Sequence, residues 1–442
     1  MNLPKLALLL TCGTALSQLS SAATLTYTGA VNNTWDTTTA NWDNGSATPW
    51  LNASGSNTND ALFATASTVV VGSTTISVHN ITSSSGVSSI SGGTLFLDSA
   101  TSATAGAAVG PTIAATAGTL TISSVLSGTR GVNFNSGGTV VLSGTANYTG
   151  FTTVSLGTLK LGGNNVLPTT QAFAIFGSGR TLEMNGFNQT VASIQGSNGI
   201  IQNTVGTSTL TINGTATQGT GIRLTGTLNL AYANTGTLSL SAGQGTLNFS
   251  GSTNISAGTL LLSTATSGLI STSAVTVSGG ALASGATSGT LALGLGNVTM
   301  SSGSIEPGQT GNTAAFTVAA NKNFLTSGGT IKLDLDTTAI LDQILGSGSG
   351  IFSLTNTTLA LNLLTWTTPD YANTYNIFSG FASGSISGLT ITGYDTANYL
   401  ASVNSSGVLS FAAVPEPSTI ALAGLGIVAL AALRRRRAGP RI

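Results

Sequence analysis

The sequence predicts an all-β chain. Its body reads as an irregular right-handed parallel β-helix or similar solenoid, with an N-terminal signal peptide and a single C-terminal membrane helix. Three observations carry this expectation. Of 442 residues, 58 are Gly and only 5% are charged, against roughly 25% in ordinary soluble domains. Short period-two segments replace any helical pattern across the body. A Gly-Thr-Leu tripeptide recurs along it.

Composition limits the core. With 6% aromatic residues the chain has few large side chains to fill a broad interior. A β-helix needs only a narrow core along a long axis, and each rung buries its neighbour. One or more β-sandwiches are the competing architecture. Disorder is opposed by 41% hydrophobic residues. One His and one Cys leave little material for acid–base, nucleophilic or metal chemistry. The expectation is therefore a non-enzyme with no catalytic residue, metal or cofactor. Between Thr24 and Val414 six Lys and Arg face eleven Asp and Glu, a net charge of −5. Such a body cannot build a phosphate-tracking groove, so nucleic acid is excluded as a partner.

The strands come next. Thr119-Leu120-Thr121-Ile122-Ser123, Thr139-Val140-Val141-Leu142, Leu224 to Leu230, Val275-Thr276-Val277 and Ile331 to Leu335 alternate as half-buried strands do. Gly-Thr-Leu begins at Gly93, Gly118, Gly157, Gly226, Gly236, Gly245, Gly258 and Gly289. Gly allows a tight corner, Thr starts the strand and Leu points inward. The spacing is irregular, so the solenoid is expected to have variable loops. The organisation read from these signals is a signal peptide at 1–23, an N-terminal cap with first strands at 24–90, repeats at 91–365, a C-terminal capping region at 366–413 and a tail at 414–442.

Both ends carry transport signals. Lys5, then Leu6 to Leu10, then Ser20-Ser21-Ala22-Ala23 form the basic, apolar and small-residue parts of a secretory signal. Cys12, the sole cysteine, lies inside it and loosely resembles a lipidation site, but Thr11 is large for that role. Cleavage leaves a mature chain without disulfides. At the other end Val414-Pro415-Glu416-Pro417-Ser418-Thr419 precedes an apolar run from Ile420 to Leu433 and the cluster Arg434, Arg435, Arg436 and Arg437. The run of 14 residues is short for a span of roughly 20, yet feasible when arginines snorkel. Those arginines should stay cytoplasmic.

This tripartite tail closely resembles the PEP-CTERM sorting signal of Gram-negative bacteria. The resemblance implies that Pro415, Glu416 and Pro417 are recognised by an exosortase-type enzyme. It implies transient anchoring in the inner membrane, then release to the cell surface or extracellular matrix, often alongside exopolysaccharide. A second resemblance lies in the body. Leu142-Ser143-Gly144-Thr145-Ala146-Asn147-Tyr148-Thr149-Gly150 and the following residues to Leu159 are similar to the autotransporter-associated β-strand repeat. Phe249 to Leu262 looks like a shortened copy. That family implies an extracellular β-helical stalk, but the chain ends in the sorting tail, not an outer-membrane barrel.

Four features invite a chemical role. Asp334 and Asp336 share a strand face, with Asp342 nearby, and suit Ca²⁺ binding or paired-carboxylate hydrolysis. The simpler expectation is a solvated outer face with Leu333 and Leu335 inward and Lys332 partly neutralising the pair. His79 alone makes no triad or zinc site and is expected to be incidental. Trp35, Trp42 and Trp50 suit sugar stacking, but a cap over the first rung is favoured. Asn52, Asn147 and Asn254 lie in glycosylation sequons. The leading function is an exported structural or adhesin-like protein. A carbohydrate-binding or carbohydrate-active β-helix is the alternative. An ice-binding face is a weaker one, because ranks such as Thr209-Leu210-Thr211 are not regularly spaced.

Overall fold

The computed structural model describes residues 22–54, 58–84, 87–99, 110–215, 222–240, 248–262, 273–286, 288–294, 296–308, 310–336, 340–364 and 368–414, together with 430, 431, 433 and 434. Among these residues the regular structure is almost entirely strand. Helix is limited to a 3-10 turn at Thr368–Ala372 and the four residues at 430–434. The chain forms two compact units, Met1–Ala174 and Ile175–Ile442.

In the first unit, parallel strands stack into three ladders. One runs from Thr24–Tyr27 through Asp60–Phe63, Ile81–Ser83 and Thr112–Ala115 to the first halves of Val132–Leu142 and Thr152–Leu161. Its register places Leu25, Ala61, Ile81, Ile113, Phe134 and Val154 in one buried column. A second ladder stacks Val69, Ile90, Ile122, Leu142 and Leu161. The third stacks Ile76, Leu95 and Leu126, and an isolated bridge extends it to Ala146. Period-two alternation explains the columns, since every second residue of a strand faces the same way. Three parallel ladders traversed in turn are the pattern of a β-helix.

The turn length follows from hydrogen bonds between equivalent positions. It is 20 residues from Asp60 to Asn80, 32 from Asn80 to Thr112 and 21 from Ala115 to Ser136.

In the second unit, one ladder stacks Gln189, Leu210, Leu230, Thr253, Val275, Val298, Phe324 and Phe352. Another stacks Leu238, Leu260, Leu282, Ile305, Ile331 and Leu359. A third, present in the later rungs, stacks Leu291, Phe316, Ile344 and Phe378. Here the turns lengthen toward the C-terminal end. Equivalent positions lie 20 residues apart at Thr209 and Asn229, 23 at Asn229 and Ser252, 22 at Asn254 and Thr276, 26 at Asn297 and Asn323, 28 at Asn323 and Ile351, and 32 at Ser353 and Ser385. The core side chains enlarge with them. Leu and Val give way to Phe316, Phe324, Phe352 and Phe378, and the rings of Phe352 and Phe378 stack at 4.9 Å. A longer turn encloses a wider section, and close packing requires larger side chains to fill it.

The Gly-Thr-Leu repeat now has a physical meaning. Leu95, Leu120, Leu159, Leu228, Leu238, Leu260 and Leu291 all lie in the core. Gly157 shows why the first position is Gly. Its φ is +69°, and a Cβ there would sit 1.7 Å from the Ser136 carbonyl oxygen one rung away. Both the left-handed backbone and the close approach of rungs exclude a side chain.

The second unit ends in a small antiparallel sheet of Tyr375–Asn376, Val408–Ala413 and Tyr399–Val403. The Tyr371 and Tyr399 rings stack beside it at 4.1 Å.

Candidate functional site

Strand Val408–Ala413 leads directly into the tail, and the Val414 amide donates to the Asn398 carbonyl at 2.9 Å. Pro415, Glu416, Pro417, Arg435, Arg436 and Arg437 lie outside the described residues, as do the expected signal peptide up to residue 21 and most of the expected membrane helix. Arg434 is helical and exposed, as are Leu430 and Leu433. Among the described residues no helix is long and apolar enough to cross a membrane.

The acidic cluster differs from the solvated face that the alternation suggests. Leu333 and Leu335 point inward as expected, yet Asp334 and Asp342 are also buried, at 6% and 1% exposure. The reason is the segment after strand Val298–Glu306, which turns back and aims its amides at the carboxylates. Asp342 accepts from the Ala314 amide at 2.7 Å, from the Asp334 amide at 2.9 Å and from the Gly308 amide. Asp334 accepts from the Gly311 amide and from Asn362 Nδ2 at 2.7 Å. Burial pushes the Asp342 carboxyl up to about 7, the amide donors oppose that rise, and the neighbouring Asp334 charge adds to it. Lys332 does not neutralise the pair; it reaches Glu306 at 3.6 Å. Asp336 sits past the strand end, where its amide donates to the Ile340 carbonyl. The two buried carboxylates thus serve as acceptors that tie a loop to the coil. Among the described residues no group of three or more His, Cys, Asp or Glu is placed to hold a metal ion.

His79 has partners that the sequence did not reveal. Its Nδ1 lies 3.1 Å from Asp60 Oδ1, which also accepts from Asn80 Nδ2 at 2.9 Å. Asn80 Oδ1 in turn accepts from the Thr112 amide at 2.8 Å. Thr24, Asp60, Asn80 and Thr112 occupy one register position on successive rungs. With Leu62 and Thr82 they line an open groove of about 330 Å³. No local motif announces this arrangement; only the stacking register brings Asp60 beside Asn80.

The tryptophans form a packed cluster. Trp35, Trp42 and Trp50 are buried, with ring centroids 4.7–5.0 Å apart, and Tyr27 and Phe63 join them. Trp50 Nε1 donates to the Ser77 carbonyl at 3.0 Å. None of the three rings is available on the surface to stack on a sugar. The sequon asparagines Asn52, Asn147 and Asn254 are all exposed; Asn52 hydrogen-bonds the Thr75 carbonyl and the Ser77 amide, and Asn254 accepts from Ser278 Oγ.

A family model described as the PEP-CTERM protein-sorting motif matches residues 413–437. The autotransporter-associated repeat expected over 142–159 is not shown by a family match. No curated protein and no solved structure matches the chain. The sorting motif marks an exported protein that carries a membrane-transit signal and is handled by an exosortase-type system.

Proposed function

We propose that the chain is a non-enzymatic structural or adhesin-like element, released to the cell surface or extracellular matrix of a Gram-negative bacterium. The observation that carries this reading is the junction at Ala413: a body of stacked parallel strands ends in a small antiparallel sheet whose strand Val408–Ala413 runs straight into a sorting motif. In this reading the signal peptide at 1–23 directs export, and the segment up to Leu433 anchors the chain transiently in the inner membrane. Arg434 to Arg437 hold its cytoplasmic end, and the exosortase-type enzyme recognises Pro415, Glu416 and Pro417. The body then acts mechanically. Its backbone groups pair from rung to rung, which leaves little slack chain for a protease to enter. The coil is taken as right-handed, the hand that parallel crossover connections favour. The segment around Tyr148 supports a stalk of autotransporter-associated repeats, because its buried hydroxyl hydrogen-bonds Thr152 at 2.6 Å and pins one turn to the next strand.

Fractionation tests the reading. Replacing Pro415, Glu416 and Pro417 together by Ala should leave the chain in the inner membrane, while the parent chain is recovered outside the cell. Equal recovery of both outside would refute it.

The polar groove favours a second reading, a carbohydrate-binding face that meets exopolysaccharide. Asp60, Asn80, Thr82 and Thr112 offer the donors and acceptors that sugar hydroxyls use. Asp60→Ala should then weaken retention on an exopolysaccharide affinity gel; unchanged retention speaks against it.

A further inference from the structure

The last rung of the second unit is unfinished. Strand Ser383–Ser387 pairs with Ile351–Thr355, and Thr390–Thr392 pairs with Thr358–Leu363. Among the described residues no strand pairs with the far edge of either. The third side differs: the Ile377 and Phe378 amides both donate to the Gly407 carbonyl at 3.1 Å, so its end is covered. The core columns record the gap. Leu354 and Leu359 are fully buried, but Ile386 and Ile391, their equivalents one rung later, are only half-buried.

Sheet edges that stay unpaired are normally protected by charge, Pro or a bulge. None of these protects this one. Ser383-Gly384-Ser385-Ile386-Ser387 and Thr390-Ile391-Thr392 contain no charge and no Pro, and Asp395 is the one charged residue between 381 and 414. Two such ends can meet without electrostatic repulsion. The cover is not the chain's own tail if that tail is to function, because residues 413–437 are the sorting motif and must reach the membrane and the sorting enzyme. Nor does the first rung of the first unit offer a matching edge. On strand Thr24–Tyr27, Thr26 and Tyr27 already pair antiparallel with Asp43 and Trp42.

We propose that the open rung is a self-association surface, at which strand Ser383–Ser387 pairs antiparallel with the same strand of a second copy about a two-fold axis. The arrangement is self-complementary and closed, so it gives a dimer and not a fibre. It completes the ladder and covers Ile386 and Ile391. In the register that pairs all five residues, Ser385 faces Ser385.

That register supplies the test. Ser385 is exposed and its hydroxyl hydrogen-bonds Ser353 Oγ at 2.9 Å on the outer face, so the core does not depend on it. The exported protein is examined by sedimentation velocity across the micromolar range. The wild type is expected to dimerise. Ser385→Lys and Ser385→Glu place like charges directly opposite, and each should weaken dimerisation by about tenfold or more. An equimolar mixture of the two should restore a dimer containing one of each. A monomeric wild type, an open-ended series of oligomers, variants that dimerise as the wild type does, or a mixture that stays monomeric would each overturn the proposal. A monomeric wild type overturns the proposal whatever the variants do, and should one variant fail to fold, the other, read against the wild type, still decides it.

Discussion

The first rung of the N-terminal unit and the last rung of the C-terminal unit are built differently. The first is sealed. Strand Trp42–Asp43 runs antiparallel against Thr24–Tyr27, and a tryptophan cluster fills the coil beneath it. Among the described residues the last keeps two unpaired edges and half-buried isoleucines. The contrast shows what a solenoid end demands. A rung in mid-stack is covered by its neighbours, whereas an end rung must find cover from unusual residues or from another molecule.

Four measurements bear on this contrast, in order of expected effect. Trp42→Ala empties the centre of the sealed end and should cost about 3–5 kcal/mol in chemical denaturation. A cost under about 1 kcal/mol would show that the cluster does not close the coil.

The second concerns the buried carboxylate deep in the C-terminal unit. The Asp342 pKa is raised from 3.8 to about 7. The folded state therefore holds an extra proton between these values. Its contribution to stability is fully present below about pH 4 and is lost as the pH rises through 7. Wild type compared with Asp342→Asn should show this slope, on the order of a few kcal/mol, in the wild type alone. Parallel profiles would remove the assigned role of burial.

The third compares equivalent residues one rung apart. Leu354→Ala should cost about 2–5 kcal/mol, as a covered core position does. Ile386→Ala should cost about 1 kcal/mol in the dissociated protein, because the side chain is already half in water. Equal costs would erase the distinction between covered and open rungs. The smallest effect is at Lys332, half exposed and 3.6 Å from Glu306. Lys332→Ala should change stability by no more than about 1 kcal/mol.

The sequence made some of this legible and hid the rest. The inward Leu of the Gly-Thr-Leu copies among the described residues was readable because alternation is local. The rungs were not, because one turn contains three strands and turn length varies from 20 to 32 residues. Irregular spacing of the tripeptide is the outcome of that variation. Clustering of Trp35, Trp42 and Trp50 near the start signalled a special end, and their burial accounts for it. Asp334 misled for a definite reason. Strand alternation assigns it to the outer face, and it does leave the core side, but the loop containing Gly308, Gly311 and Ala314 covers that face. Nothing local to Asp334 encodes a loop arriving from some twenty residues upstream. The tail was legible as a motif because its parts are contiguous and recognised as sequence.

The intact mass of the protein recovered from outside the cell tests the central claim most directly. Removal of residues 1–23 and of a C-terminal segment of about 25 residues, the length of the matched motif, should leave a chain clearly lighter than 43.6 kDa. A chain of the full 43.6 kDa, with its leader and its arginine cluster in place, would contradict the account.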